Sequence, residues 1–246
     1  MRKRRVLGAA ALALLLAIGA GAVARAQHDW RSASREPVGL APDPAATPEA
    51  VVQVYGARTV GARGVFGVHT WVAVKPPRAP EYLVYEVTGW KLRWSDSAVS
   101  VRVREPDARW FGAEPELYAD LRGKAAEALL GRIDAAAKSY PFAGEYRAWP
   151  GPNSNTFTAW ITRQVPELRA DLPPTAIGKD YLRGRVLASA PSGSGLQLSL
   201  SGLLALTAST VEGLELNVLG LSFGVDPWPP ALKLPLAGRL GVSAAP

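Results

Sequence analysis

The chain has 246 residues, 28 Lys+Arg against 21 Asp+Glu, a formal charge of +7 and no cysteine. Without thiols it has no disulfide framework, no cysteine-rich zinc site and no thiol nucleophile. With only His28 and His69, a multi-histidine metal site is not expected either, and no cofactor is expected.

The start, Met1-Arg2-Lys3-Arg4-Arg5, precedes an uninterrupted apolar run from Val6 to Ala24. The basic end stays on the cytoplasmic side while the apolar run enters the bilayer. Ala24-Arg25-Ala26 is a small-x-small pattern that suits cleavage of a signal peptide after Ala26. The nineteen apolar residues also approach the roughly 20 needed to span a membrane, so a retained anchor stays open. Arg4-Arg5 leaves room for a twin-arginine route. The expected location is the periplasm, free or anchored to the inner membrane. Removing Arg2, Lys3, Arg4, Arg5 and Arg25 leaves a mature charge of about +2. Basicity is therefore mostly a targeting feature, and no nucleic acid partner is expected, since the aromatics are not interleaved with a basic stripe.

Residues 27–50 carry Pro37, Pro42, Pro44 and Pro48 and suggest an extended linker. An α+β core is expected over 51–185, and a Leu/Gly-rich β region over 186–246. Strands are predicted at Val51–Tyr55, Val65–Lys75, Tyr82–Trp90 and Ala98–Arg104, as an antiparallel meander. In the second, Val68, Thr70, Val72 and Val74 share one face, while His69, Trp71, Ala73 and Lys75 share the other. In the last, Val99, Val101 and Val103 are expected to face in, with Ser100, Arg102 and Arg104 facing water. Two main helices follow. One is read over Glu116–Tyr140 from the stripe Leu117, Leu121, Ala125, Leu129, Ile133 and Ala136. The other spans Ser154–Val165, closed by Pro166. Leu196, Leu198 and Leu200, then Leu214, Leu216 and Val218, alternate as β-hairpins do. A phase slip at Leu219-Gly220 suggests a β-bulge.

Chemistry centres on Gly151-Pro152-Asn153-Ser154-Asn155-Thr156-Phe157 at a helix mouth. Asn153 or Ser154 is a good N-cap there. The same helix end can also bind an anion or steady a nucleophile. Serine needs a base, and His69 is the one histidine in the core region. Glu81 and Glu86 are candidate orienting groups for it. Trp71, Trp149, Asn155, Lys179 and Asp180 are candidates for the rim; Lys179 and Asp180 otherwise read as a surface ion pair on a loop packed over the core.

His69-Thr70-Trp71-Val72-Ala73-Val74 resembles the histidine strand of the circularly permuted papain-like families, among them the lecithin retinol acyltransferase group and the NlpC/P60 cell-wall peptidases. Asn153-Ser154-Asn155-Thr156-Phe157 is similar to their later helix start. The resemblance implies a permuted papain-like fold, with Ser154 at the cysteine position and His69 at the histidine. A serine hydroxyl gains far less from a helix end than a thiol does, so the substitution implies a non-catalytic or degenerate binding module. The alternatives are a Ser-His hydrolase or acyltransferase acting on cell-wall peptide or lipid, and a lipid-contacting protein using its Leu-rich hairpins. The stretch from Val51 to Gly224 as a whole resembles an uncharacterised bacterial envelope family, domain of unknown function 3750. It does so through His69-Thr70-Trp71, Trp149 to Phe157, Leu172-Pro173-Pro174-Thr175-Ala176-Ile177-Gly178-Lys179-Asp180-Tyr181 and Leu219 to Gly224.

Overall fold

The computed structural model describes residues 30–242. The expected signal or anchor at residues 1–26 lies outside them. Among the described residues no helix is long and apolar enough to cross a membrane.

The fold is α+β, with two antiparallel sheets. The first has strands β1 (Val51–Arg58), β2 (Val68–Lys75), β3 (Leu83–Val87), β4 (Val99–Val103) and β5 (Glu116–Arg122), in the order β4-β3-β2-β1-β5. All eight residues of β2 are buried, because both faces of the sheet are covered. Helices pack on the Val68, Val72 and Val74 face, together with Val52 and Val54. On the other face, Trp71, Ala73, Tyr55 and Val84 cluster with Trp110 from a long loop.

The single helix read over Glu116–Tyr140 is corrected. Its first seven residues form β5, and helix follows as a single turn α1 (Gly123–Glu127) and then α2 (Leu130–Lys138). Leu117 and Leu121 satisfy a helical i, i+4 spacing, but Leu117, Ala119 and Leu121 equally satisfy a strand period of two. The free edge of β1 decides between them: Val51–Val54 pair with Ala119–Arg122. Gly123, at φ +66°, turns the chain out of the strand. The facing expected for β4 is also corrected. Val101 and Val103 are exposed, while Arg104 is turned toward Glu86. The second main helix, α3 (Ser154–Gln164), lies where its cap and Pro166 predict.

Residues 30–50 form no regular element but are fastened to the core. Leu40 N–H donates to Asp107, Tyr82 Oη to the Pro42 carbonyl, and buried Lys75 Nζ to the Thr47 and Glu49 carbonyls.

The second sheet is a seven-stranded meander: β6 (Leu187–Ser189), β7 (Gly195–Leu200), β8 (Leu204–Ser209), β9 (Gly213–Val218), β10 (Leu221–Pro227), β11 (Pro230–Leu234) and β12 (Gly238–Gly241). Val218 pairs with Leu221, so Leu219-Gly220 is the two-residue turn of a hairpin and not a bulge. Both residues have positive φ, as such turns require. The sheet is inverted relative to the usual pattern. Gln197, Ser199, Thr207, Glu215, Asn217, Ser222 and Lys233 are buried against the core, while Leu196, Leu198, Leu206, Leu214, Leu216 and Phe223 are exposed.

The buried polar face is held by a charge cluster. Lys179 pairs with Glu215, and Lys233 pairs with Glu215 at 2.9 Å and with Asp171 at 2.7 Å. Asp180 accepts from Gln197 at 2.5 Å and from Asn217. Burial disfavours the Glu215 carboxylate, but the two ammonium groups outweigh this and hold its pKa below the ordinary value.

Candidate functional site

The β2–β3 ladder pairs only Val72–Val74 with Leu83–Tyr85. Below that register the strands have no pairing, and a cavity of about 700 Å³ lies at this end of the sheet. Its walls include Val68 and His69 of β2, Val87 and Thr88 after β3, and the Asn153-Ser154-Asn155 mouth of α3. Phe66, Trp90, Trp110, Tyr146 and Trp149 give it an aromatic lining, and Ile177, Leu219 and Leu221 an aliphatic one.

His69 is held by an aromatic stack and by a carboxylate. Its ring stacks on Trp110 at 3.7 Å and 12°, and Trp110 stacks in turn on Trp90 at 5.8 Å. His69 Nε2 lies 3.0 Å from Glu86 Oε2. Glu86 is fully buried and also accepts from Arg102 Nη2 at 2.8 Å, with Arg104 Nε 3.8 Å away. Burial alone would raise the Glu86 pKa, but the hydrogen bond from His69 and the two guanidiniums hold it at about 2. Burial lowers the pKa of His69, and Glu86 opposes this only in part. The imidazole is thus neutral at neutral pH, with its proton on Nε2 facing an acceptor-only carboxylate. Nδ1 is left with a lone pair.

The mouth of α3 is built differently. Asn153 caps the helix: its Oδ1 accepts from the Asn155 N–H at 2.9 Å and the Thr156 N–H at 3.2 Å, and its Nδ2 donates to the Ala148 and Ile177 carbonyls. The Thr156 hydroxyl completes the capping box by accepting from the Asn153 N–H. Asn155 Nδ2 donates to the Val68 and Ile177 carbonyls, and its Oδ1 accepts from Thr70. Both amides are spent on joining α3 to the start of β2 and to the 172–181 loop. Gly178, at φ +103°, lies against the Asn153 amide, and a Cβ there would overlap it. Ser154 differs: its hydroxyl has no hydrogen-bond partner among the described residues, and it lines the cavity. Thr59 Oγ1, also in the wall, is buried and unpaired.

Asn153→Ala removes both the cap and the two anchoring donors. It is expected to cost about 2–3 kcal/mol in urea unfolding, with Asn153→Ser, which keeps an acceptor, losing about half as much. Equal losses for the two variants would mean that the cap contributes nothing beyond the anchors.

His69 and Ser154 reach the cavity from opposite sides of the sheet. Thr70, on the helix face, donates to Asn155 Oδ1 at 3.0 Å, and its hydroxyl lies 2.9 Å from that of Thr158. His69, one residue earlier, is on the Trp71 and Trp110 face. No hydrogen bond joins Ser154 to His69 among the described residues. Of the two candidate orienting groups, Glu86 meets His69, while Glu81 is exposed on the loop before β3. Trp149 and Asn155 line the cavity; Trp71, Lys179 and Asp180 do not. Trp71 is fully buried, donating to the Pro106 carbonyl at 2.7 Å. The surface ion pair expected of Lys179 with Asp180 is corrected: both residues are buried under the second sheet, Lys179 pairs with Glu215, and Asp180 accepts from Gln197 and Asn217.

Sequence reasoning passed over Trp90, Trp110, Arg63 and Arg93, all of them in the cavity wall. Nothing in the local pattern marks them, because they come from turns and loops that only the tertiary fold brings together.

No curated protein and no solved structure matches the chain. The resemblance noted through Gly224 is supported by a family model only over residues 49–181, which leaves the second sheet outside it. That match covers just over half of the chain, and the chain belongs to the family described as protein of unknown function (DUF3750).

Proposed function

We propose that the protein is an exported cell-envelope binding module, whose cavity takes an apolar ligand with a negatively charged head that also donates a hydrogen bond. One observation carries this reading. Among the described residues the wall contains no acidic side chain, yet it contains Arg63, Arg93 and the N-terminal end of α3 amid aromatic and aliphatic groups. Ser154 supplies a free hydroxyl, and His69 Nδ1 accepts from the ligand. Export rests on residues 1–26, and a lipid or a cell-wall component fits the ligand class.

Lysophosphatidylglycerol, added below its micelle-forming concentration, is expected to change the tryptophan fluorescence saturably through Trp90 and Trp110. The Arg63→Glu/Arg93→Glu double variant should bind about tenfold more weakly, and lysophosphatidylcholine should bind wild type more weakly than the anionic lipid does. Equal affinity for both head groups, unchanged by the double variant, rejects the reading.

The permuted papain-like relation and a Ser-His hydrolase form the second reading. The order of His69 on β2, Glu86 on β3 and Ser154 opening α3 supports it, as do the neutral imidazole and the free hydroxyl in one cavity. The opposite-face placement of His69 and α3 weighs against proton transfer between them. A fluorophosphonate probe is expected to leave wild type unlabelled. Labelling that is lost in Ser154→Ala establishes the hydrolase instead.

A further inference from the structure

We propose that the outer face of the second sheet docks on the surface of a lipid bilayer. The outward positions of β7, β8, β9 and β10 are Leu, Ala, Val, Phe or Pro, with no charged side chain among them. Residues 186–242 contain five charged side chains, Glu212, Glu215, Asp226, Lys233 and Arg239, and none of the five residues is exposed. Seven strands about 4.8 Å apart and three to seven residues long make an apolar plane of roughly 600 Å². That is the upper end of what a soluble monomer leaves in water.

Three features favour lipid over a second copy of the chain. Trp228, 84% exposed, stands at the β10–β11 turn, and Trp149, 52% exposed, lies beside the β9–β10 turn, where its Nε1 donates to the Leu219 carbonyl at 2.9 Å. These turns are at opposite ends of β10, and indole groups at the edges of an aliphatic plane suit the boundary between acyl chains and head groups. The turn residues Leu203, Leu219 and Trp228 are themselves exposed and apolar, so the plane has no charged rim on those turns to pair with a partner protein. Finally, the apolar run ends at Ala24 and the described structure begins at Trp30. Where that run is retained in a membrane, the intervening chain can hold the folded body no more than about 20 Å from it.

Leu219 and Leu221 belong both to this face and to the cavity wall. Docking would therefore set the cavity against the acyl chains and give an amphiphile a route in. That route, unlike the docking, rests on the cavity being a binding site.

The chain has no cysteine, so single labels can be placed in the full-length protein. Leu216→Cys on the outer face and Lys138→Cys on α2 are each labelled with an environment-sensitive nitrobenzoxadiazole. Each is then mixed with vesicles of phosphatidylethanolamine and phosphatidylglycerol at 3:1. The label at 216 is expected to shift to the blue and to be quenched at least twofold by lipid carrying a doxyl group high on its acyl chain, but not by iodide. The label at 138 should show the reverse. Because the face is uncharged, 0.5 M salt should leave the result unchanged. A label at 216 that iodide quenches equally with and without vesicles overturns the proposal. So does one shielded without vesicles in a protein of doubled mass, which would assign the face to a second copy. Neither outcome depends on whether the cavity binds lysophosphatidylglycerol.

Discussion

Glu215→Ala is expected to lower the unfolding free energy by about 3–5 kcal/mol, the largest effect of any single substitution considered for this protein. Lys179 and Lys233 are both fully buried, and Glu215 pairs with both. Removing the carboxylate leaves two ammonium groups in a dry environment. Lys233 still has Asp171 and the Glu212 carbonyl, and Lys179 still has the Leu172 carbonyl. These cannot balance both charges, because of the two lysines Asp171 pairs only with Lys233, and Lys179 keeps only a neutral carbonyl as hydrogen-bond partner. Lys179, Glu215 and Lys233 also fasten the second sheet to the 171–180 segment, so the loss should appear as earlier melting of β7–β11 in hydrogen exchange. Replacing the linked charges together, as Lys179→Met, Glu215→Leu and Lys233→Met with Asp171→Asn so that no carboxylate loses its partner, is expected to be much less costly than Glu215→Ala, since the desolvation cost goes with them. A Glu215→Ala loss below about 1 kcal/mol would mean that water reaches the cluster.

Glu86→Gln tests the other buried carboxylate and should cost roughly 2–4 kcal/mol. The amide keeps an acceptor for His69 but leaves Arg104, whose Nε and Nη2 already lack hydrogen-bond partners, without a counter-charge. The pH dependence follows from the direction of the shift. Glu86 titrates at about 2 in the folded chain against an ordinary 4.5. Its contribution is therefore complete above pH 4.5 and is lost as pH falls from there through 2, an effect of about 3 kcal/mol. The unfolded chain binds the proton first, which sets the sign. His69 adds a loss in the same direction, beginning as pH falls through 6.5, because the unfolded imidazole protonates before the folded one. Urea unfolding between pH 7 and 3 should show a steeper decline for wild type than for Glu86→Gln. Parallel curves would mean that Glu86 is not ionised in the folded protein.

Much of the frame was legible in the sequence. The alternation of Val68–Lys75 separates the two faces of β2 correctly, and Asn153 and Pro166 bracket α3, since capping and proline act locally. Elements whose identity depends on a distant partner were not legible. Leu117 and Leu121 fit helix and strand equally, and only the free edge of β1 makes them a strand. Alternation in Leu196–Leu200 and Leu214–Val218 sorts residues into faces, but it cannot say which face is covered. The buried side is polar because Lys179, Asp180 and Asp171 are beneath it. Arg104 read as solvent-facing because Glu86, toward which it turns, belongs to the neighbouring strand; Arg102 reaches the same carboxylate and stays exposed, as read.

For the site, His69 with Glu86 could be named as candidates from residue type and strand adjacency. Trp110, which stacks on His69, could not, because its loop reaches β2 only in the folded chain. Asn153 and Asn155 were visible as a helix mouth, but their saturation by the Ala148, Ile177 and Val68 carbonyls, two N–H groups and the Thr70 hydroxyl is a tertiary fact that turns them from ligand groups into structural ones.

The cavity reading depends on His69 being a neutral imidazole with its proton on Nε2 and a free Nδ1. The chain has only two histidines, so nitrogen-15 spectra of histidine-labelled protein can be read residue by residue with His69→Gln as the assignment control. The account predicts a neutral Nε2–H tautomer for His69 at pH 7, a titration midpoint below the ordinary 6.5, and a shift of its Nδ1 resonance when lysophosphatidylglycerol is added. A His69 that titrates with an ordinary midpoint near 6.5, or that carries its proton on Nδ1 and ignores the lipid, would contradict it.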